Sequence, residues 1–393
     1  MERKLLSEIA WFQEGPGVRN TQYTTSGVKL LNVSNLVDGE LDISNSSRFI
    51  SREEANGKYH HFLCDAGDLI IASSGITKES LSQKNGFVSE SDLPLCMNTS
   101  TIRFKPLDGK IDLRFLYLFF QSSDFNEQIS KLMTGSAQLN FGPSHLQKIT
   151  VPYYPISRQA KIADEMFKIK QEISSLKNEK KASDDLIKSR FVEMFGECDM
   201  NKPKTEWKRL DEVTTVVAGT TPKTNVPEYW DGEIKWIAPA EIPNDAFLID
   251  DTQKHITEAG RKSCSLTLMP SGTVLFSTRA PIGKVAISNS EMCCNQGFKN
   301  FICSSQINNV FLYQLLKMNV DWLQNQGTGT TFKEISKSSI SSFLVPIPNV
   351  EKQKEFSVFL IKVNKLKLDI QKEIDLANEL LALKFHQYFD QEA

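Results

Sequence analysis

Two stretches of this chain share one pattern of residues at a constant separation of 194 positions. Residues 151–195 read VPYYPISRQAKIADEMFKIKQEISSLKNEKKASDDLIKSRFVEMF, and residues 345–389 read VPIPNVEKQKEFSVFLIKVNKLKLDIQKEIDLANELLALKFHQYF. Both stretches begin with Val-Pro, place a glutamine at their ninth position (Gln159 and Gln353) and end on a phenylalanine. Because one separation relates all of these positions, an internal duplication explains the match better than chance does.

The residues upstream of each stretch correspond more loosely, but they keep the same order. FLY at 115–117 corresponds to FLY at 311–313, and GDLI at 67–70 corresponds to GTVL at 272–275. An ordered series of this kind predicts two non-identical modules, each followed by a long helix. The predicted domains are a first module at 1–155, a first long helix at 156–198, a second module at 199–348 and a second long helix at 349–393.

Apolar residues within the two stretches recur at alternating spacings of three and four, which is typical of a coiled-coil seam. No Pro or Gly interrupts either pattern, so each helix can extend over about 35 residues, or roughly 50 Å. The predicted seam residues are Ile162, Met166, Ile169, Ile173 and Leu176 in the first helix and Phe356, Leu360, Val363, Ile370 and Ile374 in the second.

The faces beside the two seams carry many charged residues, such as Glu179 and Lys372. A narrow apolar seam between charged faces needs a partner seam that buries it. The other copy is the nearest partner, and a pseudo-twofold duplication requires antiparallel pairing, with the modules at opposite ends of the helix pair. The alternative is that each helix packs only on its own module, which the narrow seam disfavours.

Both modules are predicted to be mixed α/β (α+β) structures. Short β-rich runs alternate with turn residues, for example VKLLNV at 28–33 in the first module and IKWI at 234–237 in the second. A helical segment follows each set of runs, at 113–122 and at 310–317. The predicted architecture is therefore two mixed α/β domains separated by two long antiparallel coiled-coil helices, with a pseudo-twofold internal repeat.

The overall composition resembles that of an ordinary water-soluble protein. Of 393 residues, 40% are apolar and 24% are charged, which allows large cores without metal or disulfide support. No run approaches about 18 apolar residues, and the N-terminus lacks the apolar core of a signal peptide, so we expect a cytoplasmic protein. The seven cysteines include no CxxC pair, which argues against a structural zinc site.

No catalytic motif is present in the sequence. There is no GxxxxGK[ST] phosphate loop, no GxSxG nucleophile elbow and no Asn/Asp-Pro-Pro-aromatic motif of an adenine methyltransferase. The formal net charge of −2 shows no overall basic character of the kind that phosphate contacts usually leave. We therefore expect a binding or scaffolding protein with no catalytic residue and no metal site.

The residues that lead into each helix carry a family resemblance. They read VPIPNVEKQ at 345–353 and VPYYPISRQ at 151–159, where Tyr154 replaces the second proline and Pro155 follows it. Further family-like stretches are EGPGVR at 14–19 and GTTPK at 219–223. With the duplicated order of modules and helices, the chain resembles, over essentially its whole length, the specificity (S) subunits of type I restriction-modification systems.

The resemblance implies that each module is a target recognition domain that reads one half of a bipartite DNA sequence in double-stranded DNA. The helices would fix the spacer between the halves and would provide a docking surface for methyltransferase (modification) subunits. The complex would perform DNA methylation at adenine with S-adenosylmethionine and, with restriction (translocase and nuclease) subunits, would cleave unmodified DNA with ATP and Mg. The chain itself would bind no cofactor and would supply no catalysis.

Base edges are read by side chains that donate or accept hydrogen bonds, and here we expect these on loops beside a sheet. Recognition domains of this family differ in sequence, so the resemblance fixes loop regions and not individual residues. The candidate DNA-binding residues are Arg19, Asn20, Ser74, Thr77, Lys78, Asn98, Gln138 and Asn140 in the first module and Thr221, Lys223, Thr224, Thr278, Arg279, Lys284, Gln296, Thr330 and Lys333 in the second.

Two alternatives remain open from the sequence. One is the specificity chain of a related restriction-modification enzyme whose methyltransferase and nuclease are fused in one partner polypeptide. The other is a coiled-coil scaffold that binds protein and no DNA. The near-neutral net charge favours the scaffold, whereas polar loops at matching positions of both modules favour DNA recognition.

Overall fold

The computed structural model describes residues 2–44, 46–133, 138–200, 202, 204, 206–279, 281–329 and 333–390. Its contacts divide the chain into two units. Unit 1 comprises Met1–Ser175 and Glu373–Ala393, and unit 2 comprises Leu176–Lys372. Each unit therefore contains one module and one half of each long helix.

The first module contains short helices and strands that precede the first long helix. Its helices are α1 (Leu6–Ile9), α2 (Arg52–Asn56), α3 (Leu113–Phe119), α4 (Ser123–Leu132) and α5 (Pro143–Leu146), followed by the long α6 (Ile156–Phe195). Its strands are β1 (Arg3–Leu5), β2 (Ala10–Glu14), β3 (Val28–Leu31), β4 (Leu36–Val37), β5 (Glu40–Leu41), β6 (Phe49–Ile50), β7 (Leu69–Ala72), β8 (Ser74–Ile76), β9 (Asn85–Phe87), β10 (Leu95–Met97), β11 (Thr101–Pro106), β12 (Leu139–Asn140) and β13 (Thr150–Pro152).

The second module is built in the same way. Its helices are α7 (Leu210–Val213), α8 (Glu258–Ser263), α9 (Asn309–Met318), α10 (Val320–Asn325) and α11 (Lys337–Ser341), followed by the long α12 (Val350–Tyr388). Its strands are β14 (Lys208–Arg209), β15 (Thr214–Ala218), β16 (Trp230–Ile237), β17 (Leu248–Ile249), β18 (Lys254–Ile256), β19 (Val274–Phe276), β20 (Val285–Ser288), β21 (Cys293–Cys294), β22 (Lys299–Cys303) and β23 (Leu344–Val345).

Unit 1 has a larger antiparallel sheet of strand order β2-β11-β7-β9. A smaller sheet has the order β10-β3-β6, in which β10 runs parallel to β3. Strand β7, with the sequence LIIA, is buried at every position, as expected for a strand covered on both faces. Phe115, Leu116 and Phe119 of α3 belong to the same apolar core as this strand.

Unit 2 repeats this strand order and adds one strand. Its larger sheet has the order β15-β22-β19-β20-β17, in which the additional β17 runs parallel to β20. Its smaller sheet has the order β18-β16-β21, with β21 parallel to β16. In each unit, a two-stranded pair joins the first strand of the module to the strand that precedes the long helix: β1 with β13 and β14 with β23. The duplication predicted from the sequence is thus present in the strand order and pairing of both modules.

Within each unit, the halves of the two long helices run antiparallel. In unit 1, Glu165 near the start of α6 accepts a hydrogen bond from Tyr388 at the end of α12 (2.8 Å) and pairs with Lys384 (2.7 Å). In unit 2, Arg190 near the end of α6 pairs with Glu355 near the start of α12 (2.9 Å). The predicted antiparallel pair of long helices is confirmed.

The predicted seam residues are buried, except Leu176, which is half-buried. The seam also packs on the modules, since Ile162 and Met166 share a core with α3, and Phe356 and Leu360 share a core with α9. The seam residues are thus buried both against the other long helix and against the modules, which the sequence analysis treated as alternatives. The second seam is interrupted at Lys367, which is buried and pairs with Asp184 at 2.5 Å within unit 2.

The repeated glutamine near the start of each long helix has one structural role in both units. The Gln353 Oε1 accepts from the backbone N–H of Asn308 at 2.7 Å, and its Nε2 donates to the carbonyls of Gln306 (3.2 Å) and Pro348 (2.7 Å). Because Asn308 caps the N-terminus of α9, this amide ties α12 to the start of that helix.

Gln159 makes the equivalent three hydrogen bonds in unit 1. Its Oε1 accepts from the backbone N–H of Asp112 (3.0 Å), and its Nε2 donates to the carbonyls of Lys110 (3.1 Å) and Tyr154 (2.8 Å). Tyr154 occupies the backbone position of Pro348, five residues before the glutamine. The replacement of the second family proline by Tyr154 therefore leaves this hydrogen-bond pattern intact.

Candidate nucleic-acid interface

Four polar segments meet at one end of the larger sheet in unit 1, and two of them include the short paired strands β8 and β12. Strand β2 ends at Glu14, which pairs with Ile102, and β7 ends at Ala72, which pairs with Thr101. The loops that follow these strands therefore lie beside the loop that precedes β11. Together with the segment before α5, they form loop cluster 1, defined as residues 15–27, 73–80, 98–100 and 138–142.

Hydrogen bonds between the loops hold loop cluster 1 together. The Ser74 hydroxyl bonds to the Ser100 hydroxyl at 2.5 Å, and the backbone N–H of Phe141 donates to the Ser73 carbonyl at 2.8 Å. The Asn98 Oδ1 accepts from the backbone N–H of Val18 at 3.3 Å. The cluster is therefore a fixed arrangement of four segments that are far apart in sequence.

The structure places most of the candidates of the first module on the surface of loop cluster 1. Ser74 is half-buried, whereas Asn98 is 1% exposed and uses its amide within the cluster. In this position Asn98 supports the loops and does not present its side chain to a base. The exposed candidates are Arg19, Asn20, Thr77, Lys78, Gln138 and Asn140.

The equivalent loops of unit 2 also meet at the end of their sheet. Loop cluster 2 consists of residues 219–226, 277–284, 295–297 and 327–335, without 280 and 330–332. The backbone N–H of Thr278 donates to the Gly297 carbonyl (2.7 Å), and that of Ile335 donates to the Thr278 carbonyl (3.1 Å). The Thr221 hydroxyl donates to the side chain of Gln296, which joins the first loop to the third.

An ion network lies at the edge of loop cluster 2. Glu334 pairs with Arg279 (3.5 Å) and with Lys299 of β22 (3.4 Å), and Lys299 is buried. One carboxylate thus lies between two cations. These three side chains together carry one net positive charge, which the near-neutral total charge of the chain does not reveal.

The candidates of the second module differ in how far their side chains are exposed to solvent. Lys223, Thr224, Gln296 and Lys333 are exposed, and Thr221 and Arg279 are half-buried. Thr278 is fully buried, and the half-buried Lys284 donates to the Ile242 carbonyl at 2.7 Å, so both have supporting roles in this structure. Thr330 lies outside the described residues.

Sequence reasoning missed three residues that the structure brings to these clusters. Asn32 accepts from the Asn98 amide (2.9 Å) and from Arg48 (3.4 Å), so the exposed Arg48 lies at the edge of loop cluster 1. Lys299, the first residue of β22, lies beside loop cluster 2, where it pairs with Glu334 and donates to the Gln296 carbonyl. Of these three residues, only Lys299 could have been found from the sequence, because a lysine close to Phe298 and Phe301 interrupts an apolar strand.

A glycine at the start of the first loop allows close backbone contact in both clusters. A Cβ on Gly15 would lie 2.1 Å from the carbonyl oxygen of Asn98, and a Cβ on Gly219 would lie 2.1 Å from that of Asn295. Real Cβ atoms do not approach an oxygen this closely, so any other residue would displace the loop. Both modules therefore require glycine here for the same reason.

We expect Gly15→Ala to destabilise unit 1 by about 1–3 kcal/mol, because the added methyl group must push against backbone atoms. Gly17→Ala is the matched control, since nothing lies within 4 Å of the Cβ it would add. The control should change the free energy of unfolding by less than about 0.5 kcal/mol. Chemical denaturation of both variants measures the difference, and equal losses would contradict the role given to Gly15.

Burial raises the pKa of several titratable groups around the clusters. Burial raises the pKa of the Glu14 carboxyl at the end of β2, so falling pH neutralises it before an exposed glutamate. Burial also raises the pKa of Cys293 to about 11 and of Cys294 to about 12, which makes them neutral packing residues of β21. Among the described residues, no group of histidine, cysteine and carboxylate side chains could hold a metal ion.

Comparison with known proteins agrees with the duplicated architecture. The family model described as "Type I restriction modification DNA specificity domain" matches residues 20–183 and again residues 204–380. The chain belongs to this family. The two matched ranges correspond to the two repeats, so each repeat of this family member is one copy of the specificity domain together with most of its long helix.

Relatives of this family member include specificity subunits of two type I restriction enzymes. The MjaIX specificity subunit of Methanocaldococcus jannaschii is 32% identical over 209 residues, which are 52% of this chain and 48% of the relative. The EcoR124I/EcoR124II specificity subunit of Escherichia coli is 25% identical over 294 residues, covering 72% of this chain and 71% of the relative. The matched region thus spans about half of the first relative and about seven tenths of the second.

Two solved structures share the fold of this family member. The type I restriction-modification S subunit from M. genitalium has a TM-score of 0.59 at 12% identity and covers 100% of this chain and 96% of its own. A chain from a study of assembly and conformational transition in the type I system has a TM-score of 0.58 at 17% identity, with coverage of 98% and 97%. At these identities the likeness establishes the fold alone.

None of the helices in the described part of this family member is both long enough and apolar enough to cross a membrane. The two longest, α6 and α12, carry charged residues along their whole length.

Proposed function

We propose that this chain is the DNA sequence-recognition subunit of a type I restriction-modification complex and that each loop cluster reads one half of a bipartite target. One observation carries the proposal: two modules of the same topology present equivalent loop clusters with different exposed side chains. Arg19 and Lys223, for example, each lie four residues after the glycine of the first loop. Equivalent positions with unlike side chains suit two unlike half-sites.

The side chains exposed on the clusters have the chemistry that DNA reading requires. Arginine and lysine bind phosphates and the acceptor atoms of guanine, and asparagine and glutamine pair with adenine. Loop cluster 1 presents Arg19, Asn20 and Asn140, and loop cluster 2 presents Lys223, Gln296 and Lys333. The buried Asn98 and Thr278 hold the loops in place for these contacts.

In this proposal the chain supplies specificity and no catalysis. The long helices fix the spacer between the half-sites and provide the docking surface for methyltransferase subunits. Those partners bind S-adenosylmethionine and transfer its methyl group to adenine, and restriction subunits use ATP with Mg to drive cleavage of unmodified DNA. The identity of the relatives as specificity subunits supports these partner assignments.

Methylome sequencing of cells with and without this chain tests the proposed function. A bipartite adenine-methylation motif should disappear when the chain is deleted and should return when it is restored. An exchange of residues 204–345, which contain the second module, for the same segment of a relative should change one half of the motif. A methylome that does not depend on the chain would contradict the proposal and favour a protein-binding scaffold.

We expect Arg279→Ala to lower the affinity for one half-site by about 1–3 kcal/mol and to relax its specificity, because a cation of loop cluster 2 is lost. The control is Arg209→Ala, which removes an arginine that is also ion-paired (2.7 Å to Asp211) but lies in β14, outside both clusters. Fluorescence anisotropy of the assembled complex, with duplexes altered in one half-site, measures both. Unchanged affinity and an unchanged methylation pattern would remove Arg279 from the interface.

A further inference from the structure

Each module holds one exposed cation over an aromatic ring beside its loop cluster. In unit 1, the guanidinium carbon of Arg48 lies 5.6 Å from the centroid of the Tyr23 ring. In unit 2, the Lys254 Nζ lies 5.7 Å from the centroid of the Trp230 ring. A ring face attracts a cation within about 6 Å of its centroid, so each cation has a preferred position. We call Arg48 with Tyr23 and Lys254 with Trp230 the two cation–ring pairs.

The two cations occupy equivalent places in the smaller sheets. The Leu30 N–H of β3 donates to the carbonyl of Arg48, which directly precedes β6 (2.9 Å). Trp236 of β16 pairs with Lys254, the first residue of β18. Leu30 and Trp236 are themselves equivalent, because each also pairs with a cysteine of the parallel strand beside it, β10 or β21. The duplication has therefore kept a cation at one position of the fold.

The two rings are also equivalent, and a hydrogen bond ties each of them to a loop cluster. Tyr23 and Trp230 both directly follow a short 3₁₀ helix. The Tyr23 hydroxyl accepts from the amide of Asn98 in loop cluster 1 at 3.5 Å. The Trp230 Nε1 donates to the carbonyl of Lys223 in loop cluster 2 at 3.2 Å. Each ring thus places its cation at the edge of the surface that the loops present.

Both cations keep their charge available for an anion. Arg48 and Lys254 are exposed, and neither side chain forms an ion pair with another residue in the described ranges. Arg48 donates to the neutral amide oxygen of Asn32 at 3.4 Å. Asp251, three residues before Lys254, lies 3.9 Å from Lys235 instead. Each cation is therefore positioned without being neutralised, as a site for an anionic group requires.

The likeness of the two cation–ring pairs contrasts with the different side chains that the two loop clusters expose. Two half-sites of unlike sequence differ in their base edges but share the sugar–phosphate backbone. Phosphate contacts position a protein on DNA and carry no sequence information themselves. A positioned cation that both modules keep is therefore suited to a phosphate, which both half-sites offer at the same place.

We propose that Arg48 and Lys254 each bind a backbone phosphate of the DNA beside the half-site that their module reads. This inference rests on the proposed function and deepens it, because it assigns one sequence-independent contact to each module. Tyr23 and Trp230 act as positioning residues. They hold the cation in place before DNA arrives, so that less side-chain freedom is lost on binding.

The salt dependence of DNA binding tests the proposal, because each phosphate contact contributes about 0.9 to the slope of log affinity against log salt concentration. The assembled complex with methyltransferase subunits is titrated against a fluorescent duplex that carries the complete methylation motif. Arg48→Gln and Lys254→Gln should each make the slope shallower by about 0.9, and the double variant by about twice as much. Raising the salt from about 50 to 200 mM should thus weaken wild-type binding about 3.5-fold more than binding by either single variant.

Lys4→Gln and Lys208→Gln are the matched controls and should leave the slope unchanged. Lys4 of β1 and Lys208 of β14 occupy equivalent positions, each paired with the valine of a Val-Pro that leads into a long helix. Lys4 also lies over a ring, 3.6 Å from the centroid of Tyr153, but away from the loop cluster. The charge-conserving variants Arg48→Lys and Lys254→Arg should keep the wild-type slope.

Base discrimination separates a phosphate contact from base reading. A phosphate contact requires Arg48→Gln to weaken binding equally for the correct duplex and for duplexes altered in one half-site. If Arg48 instead read a base, Arg48→Gln would change the methylation motif and Arg48→Lys would not restore it. That result, an unchanged slope in either Gln variant, or a loss of complex assembly in gel filtration would overturn the proposal.

The same titration distinguishes this inference from the proposed function. A wild-type complex that binds no bipartite target would contradict the proposed function and this inference with it. Specific wild-type binding with unchanged slopes in Arg48→Gln and Lys254→Gln would contradict this inference alone.

Discussion

Replacing Phe191 with alanine is expected to lower the free energy of unfolding of unit 2 by about 3–5 kcal/mol, which is the usual cost of removing a large aromatic side chain from a core. Phe191 of α6 is fully buried and stacks on Phe311 of α9 with ring centroids 5.4 Å apart. It also contacts Phe356 of α12 edge-on at 5.3 Å. A single ring therefore joins both long helices to the module, and its loss leaves a cavity between three helices.

Leu186→Ala serves as the control for this variant. Leu186 also lies in the C-terminal half of α6, but its side chain is 53% exposed. Its removal should change the unfolding free energy by no more than about 0.5 kcal/mol. Urea titration followed by circular dichroism and tryptophan fluorescence compares the two variants. A loss below about 1 kcal/mol for Phe191→Ala would show that the aromatic contacts do not join the helices to the module in solution.

The second large effect is expected for Gln353→Met, which keeps the side-chain size and removes both hydrogen-bonding groups. Gln353 is fully buried and makes three hydrogen bonds to the backbone. The variant leaves one N–H and two carbonyls without this partner, at a cost of about 2–4 kcal/mol. The transition midpoint in urea should fall accordingly.

Two further variants identify the cause of the loss at Gln353. Lys352→Met changes the exposed neighbouring residue of the same helix and should be nearly neutral. Gln353→Glu keeps the acceptor for the Asn308 N–H but places a carboxylate against the carbonyls of Gln306 and Pro348, so it should destabilise at neutral pH. If all three variants are equally stable, this amide does not anchor α12.

The duplicated architecture could be predicted because it rests on periodic patterns. The spacing of Ile162, Met166 and Ile169 predicted a helix seam, and these residues are buried. The shared glutamine of the two repeats pointed to equivalent structure, and Gln159 and Gln353 make equivalent hydrogen bonds. Such features are predictable because helical geometry converts spacing in the sequence directly into position on a face.

The composition of the loop clusters was less predictable, for a physical reason. Asn98 and Thr278 are polar loop residues like their neighbours, yet both are buried because the loops fold over them. Asn32 and Arg48 join loop cluster 1 through contacts between segments distant in sequence. No periodicity relates such positions, so only the tertiary structure separates the side chains that support a loop from those that face outward.

The division of the long helices between the units has a consequence for biosynthesis. Unit 2 is one continuous segment, Leu176–Lys372, whereas unit 1 combines residues up to Ser175 with residues from Glu373 onward. Phe389, fully buried against Phe115, belongs to the core of unit 1. The core of unit 1 is therefore complete only after residues 373–389 have left the ribosome, whereas unit 2 needs no segment made later than its own.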